Sequence, residues 1–272
     1  MTRPLATTDL AADAMLARQE RLHARPAMAG PRSAWRLLET ERGSSVRDSD
    51  RFVEHGHRGV FDQELLRVRE GVVRMGELVS VAIDAAVGAL ARHDIDAAAA
   101  VVLNDQAINA AHVDLTNLII TTIATQAPVA GDLRFVLALS HVTYELERIG
   151  DHAAGVAKQV AKMGTGPASG RAGLDRIGEL ASAILHGVLR ALVDLDADAA
   201  REVAARDDEI DRLYHAYFER VLERMRVEPD WVDVGAHLLF AAKDLERIGD
   251  RVTNIAEEVV FLATGEVEDL NA

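Results

Sequence analysis

The sequence predicts an all-α fold of two tandem, pseudo-symmetric three-helix bundles, preceded by a poorly ordered N-terminal extension. Three observations carry this expectation. First, beyond residue 59 only Pro128, Pro167 and Pro229 remain, each between amphipathic segments. A proline inside a helix costs about 3 kcal/mol, so these positions mark helix ends. Second, the chain repeats itself. Met75-Gly76-Glu77-Leu78 returns as Ile177-Gly178-Glu179-Leu180, and Asp94–Ala98 as Asp196–Ala200. Asp105–Asn109 likewise returns as Asp207–Asp211, and Leu146–Asp151 (Leu-Glu-Arg-Ile-Gly-Asp) recurs unchanged as Leu245–Asp250. Third, each late segment carries an apolar seam with alternating steps of three and four. One runs Leu139, Val142, Leu146, Ile149, Ala153, Val156, Val160, Met163; the other runs Leu238, Ala241, Leu245, Ile248, Val252, Ile255, Val259, Leu262. That spacing suits long helices packed at shallow angles.

Taken in order, residues 1–59 form the extension, with a helix expected around Leu10–His23. This stretch holds ten arginines against eight acidic residues, a net of +2, and three of the six prolines. Low apolar content and turn-rich composition oppose a packed core there. A coding start at Val60, directly before the first amphipathic run, would account for it. The first bundle spans 60–163, with helices near 61–92, 96–126 and 130–163. The second spans 171–266, with helices near 171–193, 197–226 and 230–264. Gly164–Gly170 is read as a linker. It is not a phosphate-cradling loop, because no Gly-Lys-Ser/Thr follows.

Composition removes several function classes. The chain has no cysteine, which excludes disulfides, thiolate nucleophiles and iron–sulfur centres. Its 30 basic residues face 44 acidic ones, for a net charge of −14, and aromatics make up 4%. That balance opposes binding to nucleic acid, which needs clustered cations and stacking surfaces. No run approaches the roughly 20 apolar residues that span a bilayer. A cytoplasmic location is expected.

The chemistry-bearing residues are carboxylates one helical turn apart. Glu147/Asp151, Glu246/Asp250 and Asp207/Asp211 each place two carboxylates on one helix face, close enough to share a cation. Asp105/Asn109 is a degraded fourth pair. By heptad position the third-helix pairs lie opposite the apolar seam, on an outer face. The bland alternative is a solvated acidic face balanced by Arg148 and Arg247. Duplication of the whole string favours the cation reading, because Gly150 and Gly249 persist mid-helix at about 1 kcal/mol each. Close approach of a ligand or of a neighbouring helix would explain them. All-carboxylate sites suit hard or borderline cations such as Mg, Mn or Fe. No Glu-x-x-His, His-Glu-x-x-His or Gly-x-Ser-x-Gly occurs, so no catalytic constellation is expected, and a di-metal bundle enzyme is disfavoured. His112, His152 and His215 lie near the acidic motifs, where a structural role is expected.

These motifs together resemble the PhoU family of phosphate-transport accessory regulators. Further matching segments are Phe61–Leu65, Gln126–Phe135, Arg206–Asp211 and Phe261–Gly265, so the resemblance spans about residues 60–266. It implies a non-enzymatic, cytoplasmic and often dimeric protein. Such a protein connects the phosphate ABC transporter, through its ATPase subunit, to a phosphate sensor histidine kinase, and represses the starvation response when phosphate is plentiful. It also implies iron or zinc clusters, with Mg or Mn as alternatives. The ligands would be Asp207, Asp211, Glu246 and Asp250 in the second bundle, and Asp105, Glu147 and Asp151 in the first. Asn109 stands where the family has Asp, and His112 where Glu is common. A metal-free helical scaffold or adaptor is the rival reading.

Overall fold

In a computed structural model of the chain, residues 48–163 and 170–271 are described. The helix expected around Leu10–His23 and most of the Gly164–Gly170 linker lie outside them. Among the described residues, seven α-helices make up the two bundles: α1 Asp48–Arg92, α2 Ile95–Gln126 and α3 Gly131–Lys162, then α4 Leu174–Asp194, α5 Ala197–Ala204, α6 Asp207–Val227 and α7 Val232–Thr264. A 3-10 turn, Pro229–Trp231, precedes α7.

Two expectations are corrected. Helix α1, expected near 61–92, already runs from Asp48. The single helix expected over 197–226 is two, α5 and α6, parted at Ala205–Arg206. Nothing local forbids helix there. The restart puts Asp207, Asp208 and Glu209 into the first turn of α6, where the helix dipole favours negative charge.

The repeated strings have structural reasons. The Asp94–Ala98 and Asp196–Ala200 strings are helix starts. Asp94 accepts from the Ala97 amide at 2.9 Å, and Asp196 accepts from the Ala199 amide at 3.0 Å. Each meets one of the amides that a helix N-terminus leaves unpaired. The residues just before them, His93 and Leu195, both take left-handed backbone conformations that end the preceding helix. The apolar seam of α3 is buried at every position through Met163, and that of α7 at every position but Leu262.

The bundles pack side by side through their first and third helices. Along the α3–α7 seam Glu145 meets Arg251, His152 meets Asp244 and Gln159 meets His237, so these helices are antiparallel. Along α1–α4, Leu189 covers Gly76 and Val87 covers Gly178. Ser80 and His186 lie 2.9 Å apart, and Ser182 donates to Asp84 at 2.7 Å. These contacts come in two-fold mates: Gly76/Leu189 with Gly178/Val87, and Glu145/Arg251 with Asp244/His152. The repeated glycine of Met75–Leu78 and Ile177–Leu180 is therefore a close-approach position between bundles. Helix α2 and the α5–α6 pair stay on the outside, each touching its own bundle.

Candidate functional site

The acidic residues singled out by spacing come together between the second and third helices of each bundle. In the second bundle, α6 brings Asp207 against α7 at Gly249. A Cβ on that glycine would collide with the Asp207 carboxylate and would stand 3.4 Å from Ile210. The mid-helix glycine thus lets a charged side chain approach the α7 backbone. Thr253, one turn on, donates to Asp207 Oδ2 at 3.3 Å, although its hydroxyl also lies 3.3 Å from the Gly249 carbonyl oxygen. The first bundle repeats this at α2 and α3. A Cβ on Gly150 would lie 3.0 and 3.1 Å from Ile108 carbons and 3.6 Å from Asp105 Oδ1.

The outer-face position expected for the third-helix pairs is corrected for Glu246, while Asp151 and Asp250 stay partly exposed. Glu246 is only 8% exposed because α6 covers it, and Asp207, itself on α6, is equally buried against α7. Burial alone disfavours a charged carboxylate. For Asp207, burial first, and then the charges of Asp211, Asp250 and Glu246, push the carboxyl up to about 7, against the weaker pull of the Thr253 hydroxyl. Asp105 is raised by burial and by Asp151, opposed by the Asn109 amide, which donates to its Oδ2 at 3.1 Å. Glu147 is raised by burial and by Asp151, opposed by Arg148 and His112. All seven expected ligands therefore gather into two sets, one per bundle.

Four carboxylate oxygens in these sets are buried and accept no hydrogen bond: Asp105 Oδ1, Glu147 Oε2, Asp207 Oδ1 and Glu246 Oε2. They form two-fold mates, and buried acceptors are seldom left unmet. A hard cation is the partner such oxygens suit. Among the described residues no three acidic or imidazole groups already converge on one point. The surrounding cations account for part of that. Lys243 holds Glu246 Oε1, Arg247 holds Asp250 at 3.0 Å, and Arg148 stands 3.6 Å from both Glu147 and Asp151. A bound ion would have to draw these carboxylates away from their arginines and lysine.

Two contributors are not legible in the spacing. Thr253 has no hydroxyl counterpart in the first bundle, where Ala154 stands, and Lys243 is replaced there by Tyr144. The three histidines take structural contacts. His112 lies 3.4 Å from the Thr143 carbonyl oxygen, His152 meets Asp244, and His215 contacts the Asp211 carbonyl at 2.8 Å.

The same doubled pattern appears in known proteins. A family model described as the PhoU domain matches the chain twice, over residues 72–160 and 174–259. These are the two bundles. The phosphate-specific transport system accessory protein PhoU homolog of Xylella fastidiosa (strain 9a5c) is 37% identical over 207 residues, covering 76% of this chain and 87% of its own length. Its counterpart in Rhizobium meliloti (strain 1021) is 35% identical over 216 residues, covering 78% and 91%. Among solved structures, PhoU from Pseudomonas aeruginosa aligns with a TM-score of 0.73 at 32% identity, over 76% of this chain and 100% of that one. The phosphate transport system regulatory protein PhoU from Streptococcus pneumoniae gives 0.70 at 31% identity, over 77% and 99%. With both bundles, their shared acidic string and relatives matched over most of their length, the chain belongs to the PhoU family.

Proposed function

We propose that this chain is an accessory regulator of phosphate uptake and phosphate-starvation signalling that works by binding and does no bond-making of its own. In this reading it joins the phosphate ABC transporter, through the ATPase subunit, to a sensor histidine kinase. It holds the starvation response off while phosphate is plentiful. It acts in the cytoplasm as a homodimer and reaches the membrane only through its partners. The supporting observation is the family match across both bundles, to relatives themselves named as accessory to phosphate-specific transport. Coupling of this kind requires unequal affinity for two states of a partner. Two rigid bundles with long lateral faces suit that task. Deleting the gene is expected to switch on phosphate-starvation genes in phosphate-rich medium. Wild-type reporter levels in a strain without a second copy would defeat the reading.

The acidic sets are proposed as cation sites: Asp207, Asp211, Glu246 and Asp250 in the second bundle, and Asp105, Glu147 and Asp151 in the first. The unmet buried oxygens support this reading. Iron and zinc follow from the family resemblance, while an all-oxygen donor set admits Mg and Mn equally. The second set is the fuller. In the first, the Asn109 amide already occupies one Asp105 oxygen. A metal-free scaffold is the competing outcome, and elemental analysis of untagged protein separates the two.

A further inference from the structure

The two bundles differ most in the face they turn outward on their second helix. Helix α2 contains no lysine or arginine. Its outward stripe runs Leu103, Gln106, Ala110, Val113, Asn117, Ile120 and Ala124, with heptad spacing over about 33 Å. Leu103, Val113 and Ile120 are 67%, 55% and 58% exposed. The corresponding face of α5–α6 is charged, with Asp208, Arg212, Glu219 and Arg226 at matching positions. Of the fifteen large apolar side chains exposed among the described residues, eleven belong to the first bundle, so the asymmetry extends beyond one helix. An uncharged stripe of this length on an otherwise acidic protein marks an interaction surface.

We infer that the outward face of α2 docks a partner protein's helix that has an apolar seam flanked by lysine or arginine. Charge selects this occupant. Of the charges on α2, exposed Asp96 and Asp114 border the stripe and both are acidic, while Asp105 turns toward α3, where Glu147 and Asp151 share Arg148. A second copy of the chain laid on the stripe would bring acid to acid. A helix with basic flanks meets the same border with attraction, while its seam covers Leu103, Val113 and Ile120. Exposed Ala110 and Ala124 leave room for close approach. The inference rests on the docking part of the proposed function, not on metal binding.

The test uses the full-length protein and two synthetic helical peptides with one leucine/alanine seam, flanked by lysine and arginine in one and by glutamate in the other. Fluorescence anisotropy is expected to give binding of the basic peptide alone. Val113→Glu/Ile120→Glu is expected to weaken it at least about tenfold. Both positions are more than half exposed, and an unchanged thermal melt verifies folding; Asp114→Asn, milder still, is expected to weaken binding about twofold. The added glutamates separate seam contact from bulk charge, because attraction by net charge alone would tighten binding instead. Tighter or unaltered binding, equal binding of the acidic peptide, no binding of the basic one, or conversion of a dimer to monomer by the double substitution would each overturn the inference. The gene-deletion phenotype is independent of all four, so the regulatory reading stands or falls separately.

Discussion

The carboxylate of Asp207 lies directly over the α-carbon of Gly249, in the space a side chain would occupy. Asp207 is also held by Thr253 and enclosed by α7, so it has little freedom to turn aside. Gly249→Ala therefore forces the aspartate out of its position. The alanine gains about 1 kcal/mol of helix propensity, offsetting the strain, so the melting of metal-free protein should move little. Affinity for Mn2+ measured by titration calorimetry is expected to fall at least about tenfold. The matching Gly150→Ala meets two Ile108 carbons at 3.0 and 3.1 Å and stays 3.6 Å from Asp105 Oδ1, so a smaller loss is expected.

Asp207 also makes stability depend on pH. Its ordinary value is 3.8, and in the fold it is pushed up to about 7. Between these values the folded chain holds more protons than the unfolded one, so stability falls as pH rises through that window. Asp105, Glu147 and Glu257 are shifted in the same direction. Chelator-treated protein should be about 2 kcal/mol less stable to urea at pH 8 than at pH 5. Asp207→Asn should remove much of that difference and stabilise the metal-free protein at pH 8. A slope that persists in the variant would place the titrating group elsewhere.

Loaded protein should behave in the opposite sense. Protonating Asp207 competes with a cation, so metal-dependent stabilisation should grow from pH 5 to pH 8. Asp207→Asn and Glu246→Gln should each abolish retention at the second set. Asp105→Asn should leave most of the bound metal in place, since its set is the poorer one. Mass spectrometry of metal content after gel filtration checks the order. Equal losses at the two sets would refute it.

The bundle seam offers a third comparison. A Cβ on Gly178 would strike the branched side chain of Val87, whose one rotatable angle gives it little room. On Gly76 it would meet the more adaptable Leu189. Gly178→Ala is expected to cost about 2 kcal/mol in urea unfolding despite the helix gain, and Gly76→Ala clearly less.

Much of this architecture is legible in residue order. Prolines place several helix limits within a few residues, because these signals act within one turn, whereas the start of α1 at Asp48 is not marked by one. The seam positions follow from periodicity for the same reason. The grouping of the acids is legible as well, since the strings repeat as wholes. Their burial is not. Heptad spacing along α7 puts Glu246 outside because it considers one helix, whereas α6 supplies the cover. The break at Ala205–Arg206 is hidden too, since both residues favour helix and only the restart at Asp207 distinguishes them. Contact between the bundles cannot be read from either bundle alone. It explains the glycine in Met75–Leu78 and Ile177–Leu180, which no local rule accounts for.

The two-fold seam also carries an experimental consequence. Each pairing across it occurs a second time with altered chemistry: Glu145 with Arg251 against Asp244 with His152, and Ser80 with His186 against Ser182 with Asp84. One molecule thus holds two sequence solutions to a single geometric problem. Transplanting one solution into the opposite half compares them under identical topology, without recourse to another protein.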